Sequence, residues 1–131
     1  MKRIFYSMAL ALCALMLCLP VKAVRVPVTT YQELFSAMTM GKINDYYLVD
    51  DDTISVDREI NWSHFEGTYL VVPSNRTRNL DLNGFTLRYS TSNAQYSCAI
   101  TMRDISVLNI YDSKGGGQFI CLASTNLATL N

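Results

Sequence analysis

The chain contains little of the residue types from which metal sites and nucleophilic sites are usually built. Of its 131 residues one is histidine, His64, and four are cysteine. No nucleophile motif accompanies His64, so a catalytic triad has no support. A structural zinc site usually needs about four ligands. We therefore expect no metal ion, no cofactor and no catalytic constellation.

The chain also lacks a run of lysine and arginine. Three of its 11 basic residues, Lys2, Arg3 and Lys22, fall within an N-terminal segment that we expect to be removed. The remaining chain keeps 8 basic residues against 11 acidic ones, a net charge of about −3. Nucleic acid and anionic membrane surfaces are bound mainly through clustered basic side chains. Neither is an expected partner.

One long apolar run is present, and it lies at the N-terminus. Lys2 and Arg3 precede residues 4–19, which are almost all apolar, and Val21 and Ala23 supply small or apolar residues at two positions before a possible cut. This pattern is typical of a secretory signal peptide with cleavage after Ala23. The alternative is an uncleaved anchor, but about 16 residues is short of the roughly 20 that span a bilayer. The sequence predicts export to the periplasm, the cell surface or the medium, with no membrane span in the mature form.

Residues 24–131 are long enough for one small domain with a single core. Cys98 and Cys121 are the cysteines of this part. In an exported protein they could form a disulfide bond. Two separate buried thiols are the alternative.

A short amphipathic helix is predicted at residues 31–39. Thr30 and Glu33 have the spacing of a capping box, in which each side chain accepts from a backbone N–H of the other residue. Leu34 and Met38 fall on one face at helical spacing, and Gly41 is a suitable stop. Such a helix is marginal alone, so its apolar face must cover a core.

Most of the remaining chain alternates with the period of two that a half-buried strand requires. The clearest stretch is residues 78–89, where apolar residues at 80, 82, 85 and 87 flank the turn-forming pair Asn83-Gly84. Further strands are predicted at residues 46–49, 53–56, 69–72, 97–102, 107–111 and 118–123.

The apolar pairs of these strands recur at a common spacing. Ile54/Val56, Leu80/Leu82 and Leu108/Ile110 lie about 26 and 28 residues apart. A second series, Leu70/Val72, Cys98/Ile100 and Cys121/Ala123, would stack the two cysteines on adjacent turns. Interleaved series of this kind indicate a solenoid whose every turn gives one strand to each of several parallel sheets. The alternative is an antiparallel β-sandwich with Asn83-Gly84 as a hairpin turn.

Five segments carry a family resemblance: residues 71–75, 80–87, 99–102, 108–113 and 115–117. Their order resembles right-handed parallel β-helix proteins of the pectate-lyase-like superfold, and in particular the N-terminal turns of exported bacterial surface and adhesin-like proteins. The resemblance covers residues 29 to about 123. It implies an all-β, right-handed parallel β-helix of about three turns, capped by an N-terminal α-helix.

Few side chains stand out as a candidate site. Asp81 and Asn109 would form an outward polar row in the predicted register, and with Tyr89 they are the candidate sugar contacts. No second carboxylate aligns with Asp81, so a glycosidase pair has no support. The acidic triplet at residues 50–52 could bind calcium, but a solvated turn is the better interpretation.

The expected function is a secreted or surface-exposed, non-enzymatic β-helix module for adhesion or carbohydrate contact, with a polysaccharide or cell-surface glycan as partner. The alternative is the N-terminal fragment of a polysaccharide-degrading β-helix enzyme, a lyase or glycosidase, since about three turns without an evident C-terminal cap suggest a truncated chain. An open C-terminal β-edge would also favour self-association.

Overall fold

The computed structural model describes residues 22–64, 69–93 and 99–123, and these are mostly short strands in parallel sheets. The strands in chain order are β1 (Arg25–Val28), β2 (Lys42–Ile43), β3 (Tyr46–Tyr47), β4 (Thr53–Val56), β5 (Ile60–Ser63), β6 (Leu70–Val72), β7 (Thr77–Asp81), β8 (Thr86–Thr91), β9 (Ile100–Met102), β10 (Val107–Tyr111) and β11 (Gln118–Ala123). One helical segment, α1 (Tyr31–Phe35), continues as a π-helical turn over Ser36–Met40.

Three sheets contain only parallel pairs. They have the strand orders β1-β4-β7-β10, β5-β8-β11 and β6-β9, whereas β2 and β3 form a small antiparallel pair. Strands β4, β5 and β6 lie in different sheets, and each pairs with the strand of the next circuit, β7, β8 or β9. This coiled arrangement is compatible with a β-helix-like fold, as the repeat of apolar pairs predicts.

Asn83-Gly84 forms a corner between two sheets. Asn83 has φ 52° and Gly84 has φ 83°, so both residues take the left-handed conformations for which this pair is suited. The strand before the corner, β7, pairs with β4 and β10, while the strand after it, β8, pairs with β5 and β11. The hairpin on which the antiparallel alternative depends is therefore not formed.

The predicted registers are only partly right. Ile54 pairs with Leu80 as predicted, but Leu80 pairs with Ile110 and not with Leu108. This slip of two residues keeps every side chain on its predicted face, because the strand period is two. The second series slips by two residues as well, since Leu70 pairs with Ile100 and not with Cys98. Its last step is wrong, because Cys121 on β11 pairs with Tyr89 of β8 and not with the sheet of β9.

The core is formed by the inward faces of the three parallel sheets. Val26, Ile54 and Leu80 lie in register on neighbouring strands and are each at most 4% exposed. An aromatic group fills another part of the core, where the Trp62 ring packs against Tyr31 at 5.6 Å and Tyr89 at 5.7 Å between ring centroids. Leu34, Ala37 and Met38 of the helical segment are fully buried, so this segment covers the core as predicted.

The capping box at the start of α1 is formed in a modified way. The Thr30 hydroxyl accepts from the Glu33 N–H at 3.2 Å, as predicted. The Glu33 carboxylate accepts from the N–H of Thr29 at 2.7 Å, and the backbone N–H groups of Thr29 and of the predicted donor Thr30 both lower its pKa. At the other end, Gly41 ends the segment with φ 65°, as its position predicts.

A buried arginine joins the helical segment to β7. Arg78 is 4% exposed, and its Nε donates to the carbonyl of Met38 at 3.1 Å. Helix ends leave such carbonyls without an intrahelical partner, and a cation is favoured there. Burial lowers the pKa of the Arg78 guanidinium. Residue 78 is on the same face of β7 as the buried Leu80, but the sequence gives no sign that an arginine is stabilised there.

We expect Gly41→Ala to destabilise the protein more than Gly115→Ala. Both glycines have positive φ, 65° and 79°, so each substitution carries the cost of a left-handed alanine, about 1–2 kcal/mol. At Gly41 the new Cβ would also lie 2.6 Å from Nη2 of the buried Arg78, whereas nothing lies within 4 Å at Gly115. Urea unfolding would measure the difference, and equal losses would contradict the role assigned to Arg78.

Candidate functional site

An open groove of about 520 Å³ lies where strands of the four-stranded sheet meet the corners that follow β7 and β10. Four successive circuits supply its lining, through β1, β4, the corner after β7 and the corner after β10: Arg25, Pro27, Ser55, Asp57, Asn83, Ser113 and Lys114. Most of these side chains are charged or can form hydrogen bonds. The groove is therefore a polar concavity that several circuits form jointly.

Asp81 is the buried anion beneath this groove. Its side chain has 0% exposure, and its Oδ1 accepts from the N–H groups of Asn83 and Ser113, both at 2.9 Å. Its Oδ2 accepts from Nη2 of Arg25 at 2.5 Å. One carboxylate thus connects β1, the corner after β7 and the corner after β10.

The protonation of Asp81 is fixed by these donors. Burial by itself raises the pKa of the carboxyl, but the hydrogen bonds from Ser113, Arg25 and Asn83 outweigh burial and hold the pKa well below its ordinary value. The pKa of Arg25 is raised, chiefly by its hydrogen bond to Asp81. Asp81 is therefore ionised at neutral pH and is not suited to act as a general acid.

Asn83 orients Asp57, whose carboxylate lines the groove. Its Nδ2 donates to the carbonyl of Val56 at 3.0 Å and to Oδ1 of Asp57 at 3.1 Å. The Ser55 hydroxyl accepts a hydrogen bond from Arg25 at 3.0 Å and donates one to Asp57 at 3.5 Å, so Ser55 lies between these two side chains. Asp57 itself is exposed. The groove thus presents a fixed carboxylate to solvent.

The glycine turn after β10 is held by a second carboxylate. Asp112 accepts from the N–H of Gly84 and from the N–H of Gly117, both at 2.7 Å. Burial raises the pKa of Asp112, but the N–H groups of this turn outweigh it and lower the pKa. These N–H groups therefore bind the chain's own carboxylate. A Cβ at Gly117 would lie 2.8 Å from Leu82, so the close approach requires glycine.

A polar ladder runs along the sheet beside the groove. Nδ2 of Asn109 donates to Oδ1 of Asn79 at 2.9 Å, and Nδ2 of Asn79 donates to the carbonyls of Asp50 and Asp52 at 2.9 and 3.0 Å. The sequence predicts a row of Asp81 and Asn109, whereas the structure pairs Asp81 with Tyr111. The slip in register explains this difference.

The candidate sugar contacts differ in exposure. Asn109 is exposed, but Asp81 is fully buried and Tyr89 is 1% exposed within the aromatic group of the core. Tyr111 was not predicted as a contact, yet it is 41% exposed, and its hydroxyl lies 3.2 Å from that of Thr53. Because Thr53 is on β4 and Tyr111 on β10, the tyrosine side chain extends across the outer surface of β7. The sequence identifies Tyr111 as a candidate contact only when β10 is aligned on β7 in the observed register, in which Tyr111 pairs with Asp81.

The remaining sequence candidates are placed as follows. Cys98 lies outside the described residues, so its pairing with Cys121, which is exposed on β11, stays a prediction. Asp52 is buried in the turn before β4, while Asp51 is exposed. Within residues 22–64, 69–93 and 99–123, no group of three or more His, Cys, Asp or Glu side chains could hold a metal ion.

A search of family models, curated proteins and solved structures returns no match to the chain. Within the described residues, no helix is long and apolar enough to cross a membrane. The function must therefore be argued from the groove and its surroundings.

We expect Asp81→Asn to destabilise the protein by about 1.5–3 kcal/mol at pH 7, because it removes a buried charge from hydrogen bonds to three residues. The folded-state pKa lies below the unfolded value of about 3.9. Asp81 therefore stabilises the fold above that pH, and its contribution is lost as the pH falls through the folded pKa.

Urea unfolding at pH 7 and at pH 3 would measure this loss. The difference between wild type and Asp81→Asn should be smaller at pH 3. The exposed Asp51 provides a matched control, since Asp51→Asn should change the unfolding free energy by less than about 0.5 kcal/mol. Equal effects of the two substitutions would contradict the central position of Asp81.

Proposed function

We propose that this chain is an exported, non-enzymatic right-handed parallel β-helix module that contacts carbohydrate through the groove and the adjacent Tyr111. Parallel pairing of strands from successive circuits, 26 to 32 residues apart in register, supports the β-helix architecture. The resemblance to exported bacterial surface proteins of the pectate-lyase-like superfold supports the same assignment. The expected location is the periplasm, the cell surface or the medium.

The observation that carries the proposal is the placement of an exposed aromatic ring beside a groove of fixed polar groups. Sugars offer hydroxyl groups that both donate and accept, and ring faces that pack on aromatic side chains. Asp57 offers an acceptor held by Asn83, and Lys114 offers a donor. Within the described residues, the Lys114 ammonium forms neither a hydrogen bond nor an ion pair, so it is available to a ligand.

Binding is favoured over hydrolysis because of the state of the carboxylates. A glycosidase needs one carboxyl group whose pKa is raised so that it can donate a proton. The pKa values of Asp81 and Asp112 are both lowered, and both carboxylates are already bound by backbone N–H groups. Carboxylates of this kind stabilise corners and do not exchange protons near neutral pH.

We expect Tyr111→Ala to weaken glycan binding about 2- to 10-fold, because an aromatic contact is worth about 0.5–1.5 kcal/mol. Lys114→Ala should weaken binding in the same direction. The protein would be applied to a glycan array, and isothermal titration with the best-bound glycan would then quantify each variant.

Tyr47→Ala is the matched control. Tyr47 is 68% exposed, lies on β3 outside the groove, and contacts the ammonium of Lys42, 4.9 Å from its ring centroid. Its loss should leave glycan affinity unchanged. Failure of the wild-type protein to bind any glycan, or equal effects of Tyr47→Ala and Tyr111→Ala, would refute the proposed function.

A further inference from the structure

Val24, the residue before β1, is held by a buried carboxylate. Its backbone N–H donates to Oδ1 of Asp52 at 2.9 Å, and its carbonyl accepts from the N–H of Thr53 at 2.9 Å. Asp52 is 2% exposed. The backbone nitrogen of Val24 is thus held in hydrogen-bond contact with a carboxylate that lies 28 residues further along the chain.

The other oxygen of Asp52 is bound to the turn that precedes β4. Oδ2 accepts from the N–H of Val49 and from the hydroxyl of Tyr46, both at 2.8 Å. Burial raises the pKa of Asp52, but these contacts and the N–H of Val24 outweigh it and lower the pKa. The carboxylate is therefore ionised at neutral pH.

Among the described residues, no cationic side chain forms an ion pair with this buried charge. The ion pairs formed by the described residues join Arg25 to Asp81 and Arg76 to Asp50, and neither includes Asp52. A buried charge without a counter-ion is costly, and native proteins usually supply one. The group that faces Oδ1 is the nitrogen of Val24, which becomes cationic only if it is a chain terminus.

We propose that the Ala23–Val24 peptide bond is a processing site and that the released α-ammonium group of Val24 is the counter-ion of Asp52. In this reaction a signal-peptidase-class protease adds water across the bond. Residues 1–23 leave with a C-terminal carboxylate, and the Val24 amine takes up a proton from solvent. The proposal rests on the export proposed above, but not on carbohydrate binding.

The geometry suits such a reaction. Lys22 and Ala23 are exposed and belong to no strand or helix, so the bond after Ala23 follows an exposed part of the chain. The hydrogen bond from Thr53 to the Val24 carbonyl keeps the new terminus in line with the sheet. One proton of the α-ammonium group continues to face Asp52, and the others can reach water. Processing therefore converts a neutral hydrogen bond into a charge-assisted one, which is stronger.

The test compares two chains, one that begins at Val24 and one that begins at Ala23, each with Asp52 and with Asp52→Asn. Among the Asp52 proteins, the chain that begins at Val24 should melt about 4–8 °C higher, the shift expected for about 1 kcal/mol in a domain of this size. The difference should disappear in the Asp52→Asn pair. Equal melting temperatures of the Asp52 proteins, or a difference that persists in the Asp52→Asn pair, would overturn the proposal.

A second measurement needs no substitution. The α-amine would be labelled by reductive methylation with ¹³C-formaldehyde, and its pKa would be followed by NMR in the folded chain that begins at Val24. Asp52 should raise this pKa above the ordinary value of about 7.7–8.0. Tyr46 also faces Asp52, and its pKa is raised by the hydrogen bond to Asp52, so it stays protonated in this range. The side chain of Arg25 is directed to Asp81.

Because Asp52 should raise the pKa of the Val24 α-amine, the stability that this ion pair adds should depend on pH. The added stability should be complete below about pH 7.7 and should be lost as the pH rises through the pKa of the folded protein. An ordinary α-amine pKa would overturn the proposal, even if the Asp52→Asn chains do not fold. These measurements use no glycan, so their failure is separate from failure of the proposed carbohydrate contact.

Mass spectrometry of the exported protein should give Val24 as the first residue, and any other first residue would also overturn the proposal.

Discussion

The structure depends on one buried carboxylate that is shared by three circuits of the chain. Asp81 receives hydrogen bonds from Arg25, Asn83 and Ser113, and each donor comes from a different circuit or corner. Adjacent circuits of parallel sheets are joined by backbone hydrogen bonds and by apolar packing, neither of which defines register over more than a pair of strands. A charge that accepts donors from β1 and from the corners after β7 and β10 fixes the relative positions of these circuits, and the groove lies where they meet.

The same use of buried polar groups recurs at each irregular point of the fold. Arg78 binds a carbonyl at the end of the helical segment, Asp112 binds the N–H groups of the glycine turn, and Asp52 binds the turn before β4. In each case a side chain satisfies backbone groups that no neighbouring strand can reach. The strands in the described part of the chain are only two to six residues long. Side-chain hydrogen bonds at the corners therefore hold the backbone in place, as backbone hydrogen bonds between long strands do in other proteins.

Much of the fold could be predicted from the sequence, because apolar alternation and turn residues are local signals. The helical segment, its stop at Gly41 and the corner at Asn83-Gly84 follow from such signals. Register could not be predicted in full, since a shift of two residues leaves the same faces buried. That shift moves Asn109 from the level of Asp81 to that of Asn79 and brings Tyr111 beside the groove. The candidate site could therefore be predicted only in part.

The distance along the chain between Asp81 and its partners has a consequence for folding. Arg25 precedes it by 56 residues, and Ser113 follows it by 32. An assembly of two circuits would bury the carboxylate with only part of its donors, and an incompletely satisfied charge is costly. Partly wound intermediates are thus disfavoured in comparison with the complete set of circuits. Contacts of such long sequence separation also slow the search for the native state. The chain should acquire the circuits that meet at Asp81 slowly and together, in contrast to a repeat protein that grows one unit at a time.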